Sequence, residues 1–141
     1  MQYRTESDSI GSRQVPADAY YGVQSLRGSE NFQITGQHLR VEFIESLAQI
    51  KKACAICNHA VGELEGRIKE AICTACDEIL EGKFHDQFIC DPIQGGAGTT
   101  ANMNANEIIA NCFEQQGCHY RTIHSARKSK QYFLISHLAA N

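Results

Sequence analysis

Between His38 and Val61 apolar side chains recur at Phe43, Leu47, Ile50, Cys54, Cys57 and Val61, in alternating steps of four and three residues. That spacing sets all six on one face of a long α-helix and fits no strand, whose faces alternate every second residue. Glu42, Glu45, Gln49, Lys52 and Asn58 fall off the stripe and are expected to stay in water. Such a seam is core or interface rather than a cofactor site. Gly62 is placed to end the helix. A second helix is predicted from Leu64 to Leu80, with Leu64, Ile68, Ile72, Cys76 and Ile79 at helical spacing and Gly82 just beyond. Two helices joined by a short glycine turn make an antiparallel hairpin, so the fold class is mainly α.

At 141 residues the chain suits one domain, large enough to bury roughly two thirds of its unfolded surface. A net charge of −3 and a pI near 6.0 give no reason to expect a nucleic-acid partner. No apolar run is long enough for a membrane span, and MQYRTESDS lacks the apolar core of a signal peptide. A cytoplasmic location without membrane contact is therefore expected.

The seven cysteines include Cys54 and Cys57, then Cys73 and Cys76, a spacing that matches a four-thiolate zinc site on count. Both pairs lie inside helical periodicities and are flanked by Ala and Ile instead of Gly and Pro knuckles. The expectation is free cysteine acting as a small core hydrophobe, with no metal. An odd count with no sign of secretion argues against a disulfide framework.

The stretch Asp91–Asn111, DPIQGGAGTTANMNANEIIAN, concentrates the unusual chemistry. Gly95, Gly96 and Gly98 precede Thr99 and Thr100, and a third helix is predicted from there to Asn111. A threonine before a helix is a natural N-cap. A glycine loop entering a helix N-terminus can also hold a carboxylate or phosphate, because free N–H groups and the positive dipole end point the same way. A plain turn is the other reading, and the residues alone leave both open. This is neither a dinucleotide nor a P-loop fingerprint, since no G-x-G-x-x-G is present and no lysine follows the glycines. Asn102 and Asn106 share a helix face while Asn104 points elsewhere. Three asparagines in five positions of a helix imply side-chain work, in cross-linking or in ligand contact.

Before the helices, Val15-Pro16 favours an irregular or short β arm. Tyr20 and Tyr21 read as packing residues, and Arg27 as a paired or solvated arginine in preference to a charge that helps shape the anion-binding region. His85-Asp86 has the composition of a general base and its orienter, yet sequence neighbours rarely aim at one another, so a structural histidine is preferred.

The block GGAGT followed by NMNANEIIAN, preceded by Asp91-Pro92, resembles the first signature region of the fumarase/aspartase superfamily, on its ammonia-lyase side (DP-[IF]-QGGAGTS-x-NMN-x-NE) rather than its fumarase side (GSGT). RTESDSIGSRQVPADAYYGVQSLRGSENF is similar to the opening of that family, E-x-DSxG-x-x-x-VPADAYYG-x-QTxRAxENF. The resemblance implies the N-terminal domain of the fumarase/aspartase-type helical fold. It also implies elimination of ammonia from L-aspartate to give fumarate. Carried over by position, Thr99 would bind substrate carboxylate, with Gly98 and Thr100 in the adjoining loop and Asn102 behind them. No organic cofactor and no zinc cluster are implied, and the partners would be the small-molecule substrate and further copies in a homotetramer.

The match is nearly continuous over residues 1–111, while 112–141 is divergent and expected to be aberrant or disordered. It lacks a second signature like HVNxSQSTND, and no GSSxMPxKxN-like serine loop follows, so no catalytic residue is assigned in this chain. A frame or deletion artefact joining two true segments would account for the tail. His119 and His124 there find no cysteine pair at zinc spacing. The readings kept open are an ammonia-lyase portion, a fumarase-type hydratase, and a catalytically inactive helical fragment that binds partners through its stripe.

Overall fold

Two strands start the chain in the computed structural model, which describes residues 2–96 and 98–115. β1 (Tyr3–Asp8) pairs antiparallel with β2 (Gly11–Pro16), Tyr3 lying opposite Pro16 and Asp8 opposite Gly11. The reversal needs Gly11, whose φ of +128° is costly for any side chain. The Arg4 guanidinium then draws the following segment back over the hairpin. It donates to the carbonyls of Pro16, Ala19 and Tyr21 at 2.8, 2.7 and 2.8 Å. The expected β arm is therefore a formed hairpin.

A helix absent from the sequence reading follows, α1 (Val23–Asn31). Its N-cap position is Gly22, which has no side chain to offer, so nothing local marks the start. The caps come from far away. Glu6 accepts from Val23 N at 2.8 Å, and Glu107 accepts from the N–H groups of Gly22, Gln24 and Ser25, each at 2.9 Å.

The predicted helical hairpin is α2 (Val41–Ala60) and α3 (Gly66–Leu80). Gly62 and Gly82 end these helices in left-handed conformations, as their positions required. The last described helix, α4 (Thr99–Gln115), starts at the predicted threonine and runs past Asn111. The main core lies among α2, α3 and α4, with Ile44, Ile72, Ile79, Phe88 and Ile108 almost fully buried. Each such side chain contributes roughly 1.5–3 kcal/mol of burial. Among the described residues no helix is long and apolar enough to cross a membrane. The expected tail lies outside the described residues from 116 onward.

One expectation is corrected here. The stripe on α2 faces outward: Phe43 is 44% exposed, Ile50 47% and Val61 71%, Cys57 is exposed, and Leu47 and Cys54 are only half-buried. The buried face is Ile44, Ala48, Lys51, Ala55 and Asn58. It has the same rhythm of four and three, displaced by one residue. Asn58, expected in water, is buried as well. Period shows that a helix has a seam, but neighbouring seams share that period. The small Ala48 and Ala55 admit α3 and α4 closely, and close packing decided which seam turned in.

Candidate active site

The loop ahead of α4 is pinned from two sides. Asp91 accepts from the N–H groups of Ile34, Thr35, Gly36 and Ile93 at 3.2, 2.7, 3.0 and 2.8 Å, and from the Thr35 hydroxyl at 3.0 Å. Burial alone would raise its pKa. The donors of Ile93, Thr35 and Gly36 outweigh burial and hold the carboxyl at about 2, below the ordinary 3.8. The folded state thus binds this proton less tightly than the unfolded state does. Its contribution to stability is fully present above pH 3.8 and is lost as pH falls through about 2. Urea midpoints measured from pH 5 down to pH 2 should fall more steeply for the wild type than for Asp91→Asn, and parallel curves would refute the assignment.

Gln94 makes the second anchor, donating to the Asp91 carbonyl at 3.0 Å and accepting from Ala101 N at 2.6 Å. It is this glutamine, and not Thr99, that caps α4. Thr99 is already helical, and its hydroxyl donates backwards to the Gly96 carbonyl at 2.6 Å. Gly96 and Gly98 have φ of +71° and +92°, so the loop requires glycine at both. Thr99 N bonds Gly96 O and Asn102 N bonds Gly98 O, each at 3.0 Å. With Ala101 N held by Gln94, two of the donors that a helix start leaves unpaired, Thr99 N and Ala101 N, are already committed.

The four residues singled out in the sequence take different positions. Thr99 is exposed at the tip, and Gly98 borders a cavity of about 350 Å³ together with Leu39, Arg40, Phe43, Pro92 and Gln94. Thr100 turns away toward α1, where its methyl lies against Gly28. Asn102 is buried, and its side-chain oxygen accepts from the Lys51 ammonium. Gly98, Thr99 and Asn102 thus share one end of α4, while the Thr100 side chain belongs to the α1 contact.

The other asparagines act as cross-links or stand buried. Asn104, fully buried, donates to the Gln87 carbonyl at 3.1 Å, and Asn111 donates to the Tyr20 carbonyl at 2.8 Å. Asn106 is buried, and neither polar atom of its amide has a hydrogen-bond partner among the described residues. Native interiors rarely leave a buried amide so. Lys51 and Glu107 were not singled out in the sequence. Nothing local in the sequence distinguishes Lys51 from the other polar positions of its helix, or marks Glu107 as a cap for a helix more than eighty residues away.

Other candidates resolve as structural. Arg27 forks onto Asp8, at 2.8 and 3.1 Å, and also donates to the Gly11 carbonyl at 3.0 Å, tying α1 to the hairpin. A His85 ring nitrogen lies 2.8 Å from the Ile79 carbonyl, and Asp86 receives Gln87 at 2.6 Å, so the two neighbours do not act together. Burial pushes the Cys76, Cys90 and Cys112 thiols up to about 12. Cys57 is exposed, against the expectation of a core residue. Among the described residues no group of three or more His, Cys, Asp or Glu side chains could hold a metal ion.

Known proteins share this architecture. A family profile described as Lyase matches residues 11–137. The aspartate ammonia-lyase of Bacillus subtilis (strain 168) is 59% identical over 110 residues, covering 78% of this chain and 23% of that protein. Fumarate hydratase class II of Halobacterium salinarum is 49% identical over 109 residues, covering 77% and 23%. A crystal structure of fumarate lyase:delta crystallin from Brucella melitensis superimposes with a TM-score of 0.81 at 43% identity, over 89% of this chain and 31% of that one. The matched region is thus 23% of the length of these two curated relatives.

Proposed function

This chain belongs to the lyase family, and on that premise we propose that it supplies the substrate-carboxylate loop of an aspartate ammonia-lyase, which eliminates ammonia from L-aspartate to give fumarate. The observation that carries the reading is the exposed Thr99 hydroxyl on the first turn of α4, with the side-chain-free Gly98 beside it. Removal of a Cβ proton from L-aspartate places additional negative charge on the neighbouring carboxylate. Donors held where that charge develops lower the barrier, and the Thr99 hydroxyl at the positive end of α4 becomes such a donor when it turns from the Gly96 carbonyl to the carboxylate. Gly98 leaves room for the carboxylate to approach, and Asn102 holds the turn from behind.

The proton-abstracting serine loop of similar lyases has no counterpart in this sequence. In this reading the loop binds the carboxylate by itself, while turnover needs segments contributed by a longer chain and by other subunits of a homotetramer. The expected result is that the isolated 141-residue protein shows no turnover of L-aspartate, followed by the ultraviolet absorbance of fumarate. Fumarate formation above background would overturn that expectation. The Halobacterium relative, at 49% identity, supports a second reading as a fumarate-hydrating enzyme. Supplying L-malate in place of L-aspartate to the assembled enzyme separates the two. The third reading, an inactive helical fragment, takes its support from the outward apolar stripe on α2.

A further inference from the structure

Lys51 is the one charged side chain on the buried face of α2, and it is 3% exposed. Its ammonium donates to the side-chain oxygen of Asn102, which is itself buried, and Asn102 N closes the first turn of α4 on the Gly98 carbonyl at 3.0 Å. One continuous chain of contacts thus runs from the middle of α2, through an amide, to the glycine loop. The N-terminal end of a helix is where a cation is least welcome, because the helix dipole is already positive there. An anion reverses the sign of that balance. Two of the N–H groups left unpaired at this helix start, those of Thr99 and Ala101, are committed to Gly96 and Gln94. Attraction of an anion to Thr99 therefore leans on the electrostatic field behind the loop more than on open amides.

We propose that Lys51 is the positioning residue of this loop, fixing the first turn of α4 through Asn102 and placing a buried positive charge behind Gly98 and Thr99 that a bound carboxylate compensates. The inference rests on the reading of the loop as a carboxylate site. Among the described residues, titratable groups bearing on Lys51 include Cys54 of its own helix and Cys76 of α3, while α4 faces it with the Asn102 amide. Burial brings the ammonium down to about 8, and burial keeps the Cys76 thiol protonated, with its pKa at about 12. A carboxylate bound nearby favours the charged ammonium, so binding and proton uptake are linked: affinity is full below about pH 8 and falls above it.

The test is a titration of fumarate into the isotope-labelled 141-residue chain, followed at the amides of Gly98, Thr99 and Thr100 by nuclear magnetic resonance from pH 7 to pH 9.5. The wild type should lose affinity by about tenfold across this range, equivalent to one unit of pKa displacement on binding. Lys51→Met should bind about tenfold more weakly at pH 7, with no pH dependence left, while remaining folded. Asn102→Asp sets a carboxylate against the ammonium. It should abolish fumarate binding with a urea midpoint no lower than that of the wild type. If Lys51→Met weakens binding but keeps the wild-type pH profile, the role is packing alone and the inference fails. Unchanged affinity in Lys51→Met likewise overturns it, leaving the loop reading intact. No response of the wild-type loop amides to fumarate overturns the loop reading and this inference together.

Discussion

Glu107→Ala should destabilise the chain by about 3 kcal/mol, the range expected when several buried donors lose one charged acceptor. One carboxylate takes the N–H groups of Gly22, Gln24 and Ser25 and also the Ser25 hydroxyl. Those three amides belong to the opening turn of α1, and the helix has no side-chain cap of its own. Burial pushes the pKa of Glu107 up, while the Ser25, Gln24 and Gly22 donors pull it down. Truncation leaves the donors buried without an acceptor and removes the main link from α4 to α1. Glu107→Gln retains one acceptor oxygen but turns an NH2 group toward donors, so it should recover about half of the loss. Urea unfolding with an unchanged slope and a lowered midpoint is the expected result. Hydrogen exchange should quicken first at Gln24 and Ser25. A wild-type midpoint in Glu107→Ala would show that α1 does not depend on this cap.

The second large effect is a clash with a built-in remedy. A Cβ added to Gly28 of α1 would lie 2.3 Å from the γ-methyl of Thr100, far inside contact distance. Gly28→Ala should therefore cost about 1–3 kcal/mol as an overpacking substitution. It should also disturb the first turn of α4 beside Thr99. Thr100→Ser removes the obstructing methyl and, alone, leaves a methyl-sized gap costing about 1 kcal/mol. The double variant should return to wild-type stability or exceed it, since alanine is a better helix residue than glycine by up to about 1 kcal/mol. The family-like patterns RAxENF and GGAGTS carry alanine and serine at these two positions, so here a methyl group has in effect moved from residue 28 to residue 100. A double-mutant cycle measures the coupling directly. Additive single effects would show that the two sites do not share this space.

The first of these effects marks where sequence reading stopped. α2, α3 and the start of α4 were legible because their signals are local: a period of 3.6, a glycine past each helical end, a threonine at a helix start. The loop motif was also legible, since few chains place three glycines, two threonines and three asparagines in so short a span. α1 was not. Its start is marked by Gly22, and the groups that satisfy it come from Glu6 and Glu107, one on each side of it in sequence and the second more than eighty residues away.

By itself the sequence determined that this chain is mainly helical, that α2 and α3 form a hairpin, and that a glycine loop opens the helix bearing Thr99. Periodicity and turn chemistry act over a few residues, so they can be read along a line. Only the tertiary structure decided which of two seams on α2 is buried, because both repeat every three and four residues and the choice belongs to the elements packed against them. It alone turned Thr100 toward Gly28, gave the cap of α4 to Gln94, and set Lys51 behind Asn102. Apart from the Gln94 cap, which lies seven residues from its donor Ala101, each of these is a contact between segments distant in sequence, fixed by close packing and by the need of buried polar groups for partners.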